Sequence, residues 1–211
     1  MKNRGILVVF SGFSGSGKGT IMKKLIENHS DIYALSVSAT TRNPREGERD
    51  GIEYFFKTVP EFEELIKNNM MLEYANYAGN YYGTPKEYVE KKLDEGYDVI
   101  LEIETQGALK VKAQYPDTLL MFVTPPSADI LYERLKGRGT ETDEVIAKRM
   151  NQANVEAKVI DQYDYLVIND DIDECVTRVH EIIKNTHDRT VFRADTIEAL
   201  KTGLNKYQRR D

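Results

Sequence analysis

Ile6 to Phe10 form an unbroken apolar run with two valines, and a glycine-rich stretch follows at once. A short run without polar alternation fits a strand buried on both faces, as in a parallel sheet. Beyond the glycines, Ile21, Met22, Leu25 and Ile26 recur at helical spacing. Strand, glycine turn and helix open a doubly wound fold. Runs at residues 99–103, 119–123 and 165–168 read as further buried strands, and residues 35–38 as a weaker one. Helical patterns over residues 87–94, 128–136, 144–162 and 172–184 separate them. Such alternation predicts an α/β protein, a parallel sheet with helices on both faces.

Two stretches interrupt the alternation. Residues 38–84 are rich in Tyr, Gly, Asn and charge, with segments 53–57 and 71–77 suited to a small mixed sheet. They read as an insertion carrying a second binding site. Residues 136–143 (KGRGTETD) are polar and punctuated by glycine, with arginines on either side, and read as a flap able to move. The expected organisation is a core of residues 1–37, 85–135 and 150–190, the insertion at 38–84, a lid at 136–149, and a tail at 191–211, helical around 196–207.

Composition narrows the class. The chain has 211 residues, 40% hydrophobic and 30% charged, which suits one domain with insertions and a real core. The apolar run after Met1 to Arg4 is too short for a signal or a membrane span, so a cytoplasmic protein is expected. The single cysteine, Cys175, excludes an internal disulfide and falls on an apolar stripe with Val176, Val179, Ile182 and Ile183, which points to packing. The histidines at 29, 180 and 187 lack metal-ligand spacing. A net charge of −6 argues against broad nucleic-acid binding, so any anion site must be local. Nothing in the residues decides between a monomer and a homo-oligomer.

The strongest chemical signal is Gly12-Phe13-Ser14-Gly15-Ser16-Gly17-Lys18-Gly19-Thr20. Glycines let successive N–H groups point inward, the following helix offers its positive end, and Lys18 can reach the β and γ oxygens of a polyphosphate. Gly19 stands where the strict pattern has Ser or Thr, with Thr20 directly after it. A second group runs Ser38-Ala39-Thr40-Thr41-Arg42-Asn43-Pro44-Arg45 and continues through Asp50, Gly51 and Tyr54-Phe55-Phe56. Its guanidinium forks suit a phosphate, although the spacing alone fits a solvated loop as well. Glu73 lies in a largely apolar setting, and Asn80-Tyr81-Tyr82-Gly83-Thr84 adds hydroxyls on an expected turn. Glu102 and Glu104 close a strand facing the glycine loop, where carboxylates can orient hydrated Mg²⁺.

Taken in order, S-x-T-T-R-x-P-R, D-G-x-x-Y-x-F, G-N-Y-Y-G-T, GRGTE and N-D-D behind this loop closely resemble the guanylate kinases, from about Gly5 to Asp171. The resemblance implies a P-loop core with a GMP-binding insertion and a lid, ATP as co-substrate with Mg²⁺, and GMP as acceptor. It implies that Arg42, Arg45, Tyr54 and Tyr82 meet the GMP phosphate, with Arg42 also counted among the catalytic groups. Ser38, Glu73 and Thr84 would meet the guanine. Arg134, Arg138 and Arg149 would be the lid arginines that meet the moving phosphoryl group, and Asn169 would lie near the ATP end. Relatives usually carry Asp-x-Asp where this chain has Glu102 and Glu104; Glu102 is assigned to the reacting end and Glu104 to the acceptor side. Two rivals stay open: a kinase for another small acceptor, and a non-catalytic protein-binding module of guanylate-kinase type. The intact Gly17-Lys18 argues against the second, and Glu73 with Ser38 and Thr84 against the first.

Overall fold

The computed structural model describes residues 4–137 and 142–207. Nine strands run in chain order: β1 (Leu7–Gly12), β2 (Tyr33–Leu35), β3 (Ala39–Thr40), β4 (Phe55–Phe56), β5 (Met71–Tyr77), β6 (Asn80–Pro85), β7 (Asp98–Glu102), β8 (Leu119–Thr124) and β9 (Tyr165–Ile168), counted among the described residues. The α-helices are α1 (Lys18–Asn28), α2 (Val59–Lys67), α3 (Lys86–Asp94), α4 (Thr105–Gln114), α5 (Ala128–Lys136), α6 (Asp143–Glu156), α7 (Ile172–Thr186) and α8 (Ala194–Leu204).

Five strands form a parallel sheet in the order β2-β7-β1-β8-β9. Because side chains alternate along a strand, β1 serves both sheet faces. Val8 and Phe10, with Ile6 before the strand, pack with Ile21, Met22 and Leu25 of α1 and with Cys175, Val176, Val179 and Ile183 of α7. Leu7 and Val9 pack the other way, with Val89 and Leu93 of α3 and Ala108 and Val111 of α4. Burial on both faces explains the unbroken apolar run, and Cys175 is core as expected.

The second sheet is mixed, in the order β4-β3-β6-β5. β3 runs parallel to β4 and antiparallel to β6, and β5 is antiparallel to β6. Phe62 of α2 closes it from one side, packing with Ala39 and Met71 and stacking on Tyr81 at 5.1 Å. A third, smaller cluster joins α5 and α6 through Leu131, Leu135, Ile146 and Ala153, with Phe13 and Met150 against it. The arginine-bearing helices are thereby packed onto the glycine loop itself.

Several expectations need correction. The strand expected at 35–38 is β2 at Tyr33–Leu35, because Tyr33 is the side chain that goes inside while Leu35 is exposed. Asn80 to Thr84 form strand β6, not a turn; the turn lies just before, at Ala78 and Gly79, both with positive φ. The helix expected over 144–162 is α6 followed by a 3-10 segment, Ala157–Gln162. Helices α2 and α4 were not anticipated. Among the described residues no helix is long and apolar enough to cross a membrane.

The three histidines lie near β2 and the start of β7, where His29, at the end of α1, and His180 of α7 come together. His29 stacks on His180 at 4.0 Å, and His180 Nδ1 lies 2.8 Å from the hydroxyl of buried Tyr33. His187 Nε2 is 2.9 Å from Oδ1 of buried Asp98, which also accepts the Ile6 N–H at 2.8 Å. These are packing contacts, and no group able to hold a metal occurs among the described residues.

Candidate active site

The glycine loop begins where β1 ends, at the carboxyl edge of the parallel sheet, the usual ligand edge of such folds. Gly17 caps α1 at φ 90°, and a Cβ there would meet Asn169 Nδ2 at 2.3 Å. Asn169 is buried and donates from Nδ2 to Ser16 O at 2.7 Å. It therefore braces the backbone of the loop, and glycine at 17 leaves it room. Lys18, the first residue of α1, donates from Nζ to Gly12 O (2.7 Å) and Phe13 O (3.0 Å). Gly19 and Thr20 are exposed, and a Cβ at Gly19 would meet nothing within 4 Å. On the lid side, Arg149 of α6 donates to Ser14 Oγ, and Arg134 is half-buried near the end of α5. The third arginine of that group, Arg138, lies outside the described residues.

Glu102 ends β7 with its carboxylate open to solvent, and Glu104 caps α4. Desolvation by neighbouring protein holds Glu102 above the ordinary glutamate value, and the positive charge of Lys18 opposes that rise. Glu102 and Lys18 are thus close enough for their charges to act on one another. Glu156 of α6 is buried, accepts from Gln152 at 3.2 Å, and is also raised by burial, with Lys18 pulling down and Glu104 pushing up. Nothing in the sequence singled it out.

Between β3 and β4, Arg42 is the centre of a cluster of aromatic rings and one carboxylate. Its guanidinium carbon lies 5.4 Å from the Tyr54 ring and 6.0 Å from the Phe56 ring, and the Tyr54 and Tyr82 rings meet edge-on at 6.2 Å. A hydrogen bond with Tyr82 adds to the shift that raises the Arg42 pKa, of which Glu48 is the largest cause. The Glu48 carboxylate sits on Arg42 Nη2 at 2.9 Å through both oxygens and accepts the Arg45 N–H at 2.7 Å. An internal carboxylate thus marks where an anion is favoured. Glu48 escaped the sequence reading, although its spacing from Arg45 suits a tight turn. Arg45 is exposed, and Ser38 is half-buried beside β3 with its carbonyl accepting the Phe55 N–H.

Glu73 and Thr84 are register partners across β5 and β6, and Thr84 Oγ1 donates to Glu73 Oε1 at 2.9 Å. A bulge in β5 between Met71 and Glu73 lets Leu72 and Glu73 in succession face α4. Tyr82 and Thr84, two apart on β6, share one face, so the Arg42 cluster and Glu73 lie along one strand. Burial raises the Glu73 pKa, while the Thr84 hydrogen bond and Lys110 pull it down. The unfolded carboxyl, at its ordinary 4.5, ionises first as pH rises. Glu73 therefore favours the fold most below that value, and the contribution is lost as pH climbs through the raised folded pKa. Glu73→Gln cannot ionise, so its melting temperature should gain on the parent's as pH rises through the range above the ordinary glutamate value. Melting curves across that range check this, and a constant difference would refute it.

Three comparisons bear on this geometry. A model of the guanylate kinase family matches residues 4–186. The chain is 52% identical over 211 residues to a guanylate kinase of Streptococcus pyogenes serotype M1, covering 99% of each chain. Its fold is similar to the crystal structure of guanylate kinase from Anaplasma phagocytophilum, with TM-score 0.68 and 33% identity, over 90% of this chain and 89% of that one.

Proposed function

This chain belongs to the guanylate kinase family, and we propose that it moves the γ-phosphoryl group of ATP onto GMP with the residues assembled above. It is an ATP:GMP phosphotransferase whose products are ADP and GDP. The observation that carries the division of roles is the pairing of a braced phosphate loop with a half-buried carboxylate held by Thr84.

The loop from Gly12 to Thr20 holds the ATP phosphates, and Lys18 leaves the loop carbonyls to neutralise the β and γ oxygens. Arg134 and Arg149 bring further charge to the moving group, and the family resemblance adds Arg138. Arg42, Arg45, Tyr54 and Tyr82 hold the phosphate of GMP, which takes the place of the Glu48 carboxylate or shares Arg42 with it. Ser38, Glu73 and Thr84 read the base, and dGMP is an acceptor too because none of these roles uses the ribose hydroxyls. Residues 38–84 act as the GMP-binding unit and 136–149 as the lid.

The acceptor oxygen of GMP is already an anion, so no general base is needed; alignment and charge neutralisation do the work. Mg²⁺ binding fits the residues present in a limited way. No group of three or more ligands for it occurs among the described residues, while Glu102 is exposed at the end of β7 and feels the charge of Lys18. The ion would be held chiefly by ATP oxygens and water, with Glu102 and Glu104 as partners of that water. When bound, it supplies neutralisation of the phosphate charge. The reading implies a cytoplasmic enzyme of free nucleotides.

A coupled ADP-release assay across AMP, GMP, dGMP, CMP and UMP tests it. GMP and dGMP should support turnover and the rest should stay near background. Equal rates with AMP, or ADP release without acceptor, would overturn the assignment.

A further inference from the structure

We infer that Gly107 is a positioning residue for base recognition: its missing side chain is the clearance that lets the Glu73 carboxylate stand where guanine is read. The inference rests on the assignment of Glu73 to the base and names what sets its position.

Gly107 lies in the first turn of α4, in the core half of the molecule. It is not among the glycines with positive φ, so its backbone would accept any L-residue. Glycine is also a poor helix former compared with alanine, and helix geometry gives no reason for it here. The reason lies across the gap. A Cβ on Gly107 would stand 3.2 Å from Glu73 Oε2, 3.5 Å from Glu73 Cγ and 3.5 Å from Ile103 Cδ1. The first of these is tighter than ordinary van der Waals contact, so the carboxylate would have to give way.

It has little room to do so. Oε1 is held by the Thr84 hydroxyl at 2.9 Å, while Oε2 is the oxygen nearest Gly107. The bulge in β5 fixes the direction of the Glu73 side chain, and Gln114 of α4 donates to Leu72 O at 2.8 Å, tying that strand to the same helix. The carboxylate is thus set between Thr84 and the bare edge of Gly107. A shift of a few tenths of an ångström would misplace both acceptor oxygens at once. Lys110, one turn further along α4, adds an attractive charge on the same side.

The experiment compares Gly107→Ala, Glu73→Asp and the double variant. Gly107→Ala should lower kcat/KM for GMP about tenfold, mainly through KM, because small misplacements of positioning groups are costly. KM for ATP should stay within about twofold, and the melting temperature should not fall, since alanine favours the helix. Glu73→Asp draws the carboxylate back by one methylene, which gives the new methyl its space. The double variant should therefore be no worse for GMP than Glu73→Asp alone, a coupling that a merely structural role would not produce. Unchanged GMP kinetics, equal losses for ATP and GMP, additive losses, or a sharply lower melting temperature would each overturn the inference. Glu73→Gln separates the premise from the inference. If it leaves the GMP-to-AMP ratio unaltered, the reading of Glu73 fails and Gly107 with it; if it collapses the ratio while Gly107→Ala does nothing, only Gly107 fails.

Discussion

Lys18→Met should lower kcat by about 10³-fold or more while the protein keeps its fold, because charge aimed at the reacting oxygens is the main catalytic resource in phosphoryl transfer. The structure explains why the two effects separate. Lys18 opens α1 and is half-buried, and its ammonium donates to Gly12 O and Phe13 O, carbonyls of the loop it serves. Methionine keeps the length and most of the packing of the stem but cannot make those bonds. Both carbonyls belong to half-buried residues that water can reach, so their loss costs little stability. The loop keeps its brace, since Asn169 binds Ser16 O without help from Lys18. Thermal melting and steady-state kinetics on the same preparation decide the point. Near-normal turnover would remove Lys18 from the chemistry, and a much lower melting temperature would make it a structural residue of the loop.

Glu73→Gln should lower kcat/KM for GMP on the order of 10²-fold or more and narrow the GMP-to-AMP ratio, with ATP affinity unchanged. Guanine presents N1–H and the N2 amine side by side, and one carboxylate can accept both as charge-assisted bonds. Adenine has an acceptor at N1 and no N2 amine, so Glu73 would face a lone pair in a partly desolvated pocket. Sites built on such bonds reject the analogue that lacks them by roughly 10⁴–10⁵. Glutamine has the same size but turns one acceptor into a donor, which then points at the guanine donors. Thr84 and Ser38 hydroxyls can donate or accept and discriminate less. Thr84 is further committed, because its hydrogen already goes to Glu73. An unchanged ratio of kcat/KM for the two acceptors would mean that the base is read elsewhere. The same variant should gain in melting temperature on its parent as pH rises above the ordinary glutamate value, since burial opposes ionisation of Glu73 in the fold. A loss of activity joined to a gain in stability would mark Glu73 as kept for recognition.

Parts of the fold whose information is local were legible in the residues alone. An apolar run, a glycine loop and a helical period fixed β1, the phosphate loop and α1, because burial on two sheet faces leaves no polar position in the run. The motif order identified the family, and the stripe through Cys175 and Val179 located α7. Helix α2 was missed although it carries a local signal, a capping box of Thr58 and Glu61 with Pro60 beside them. Helix α4 was harder to see. Its buried side is Thr105, Ala108 and Val111, residues too small or too polar to mark a face. Which element stands against which emerged only from the folded chain. Glu48 on Arg42, Asn169 beneath Ser16, three histidines around Tyr33 and Asp98, and Glu73 against Gly107 are all contacts between separate segments. Periodicity reports the face that one element buries and says nothing of the partner. That partner is set by the strand order β2-β7-β1-β8-β9 and by the bulge that turns Glu73 toward α4, and both follow from packing of the whole chain.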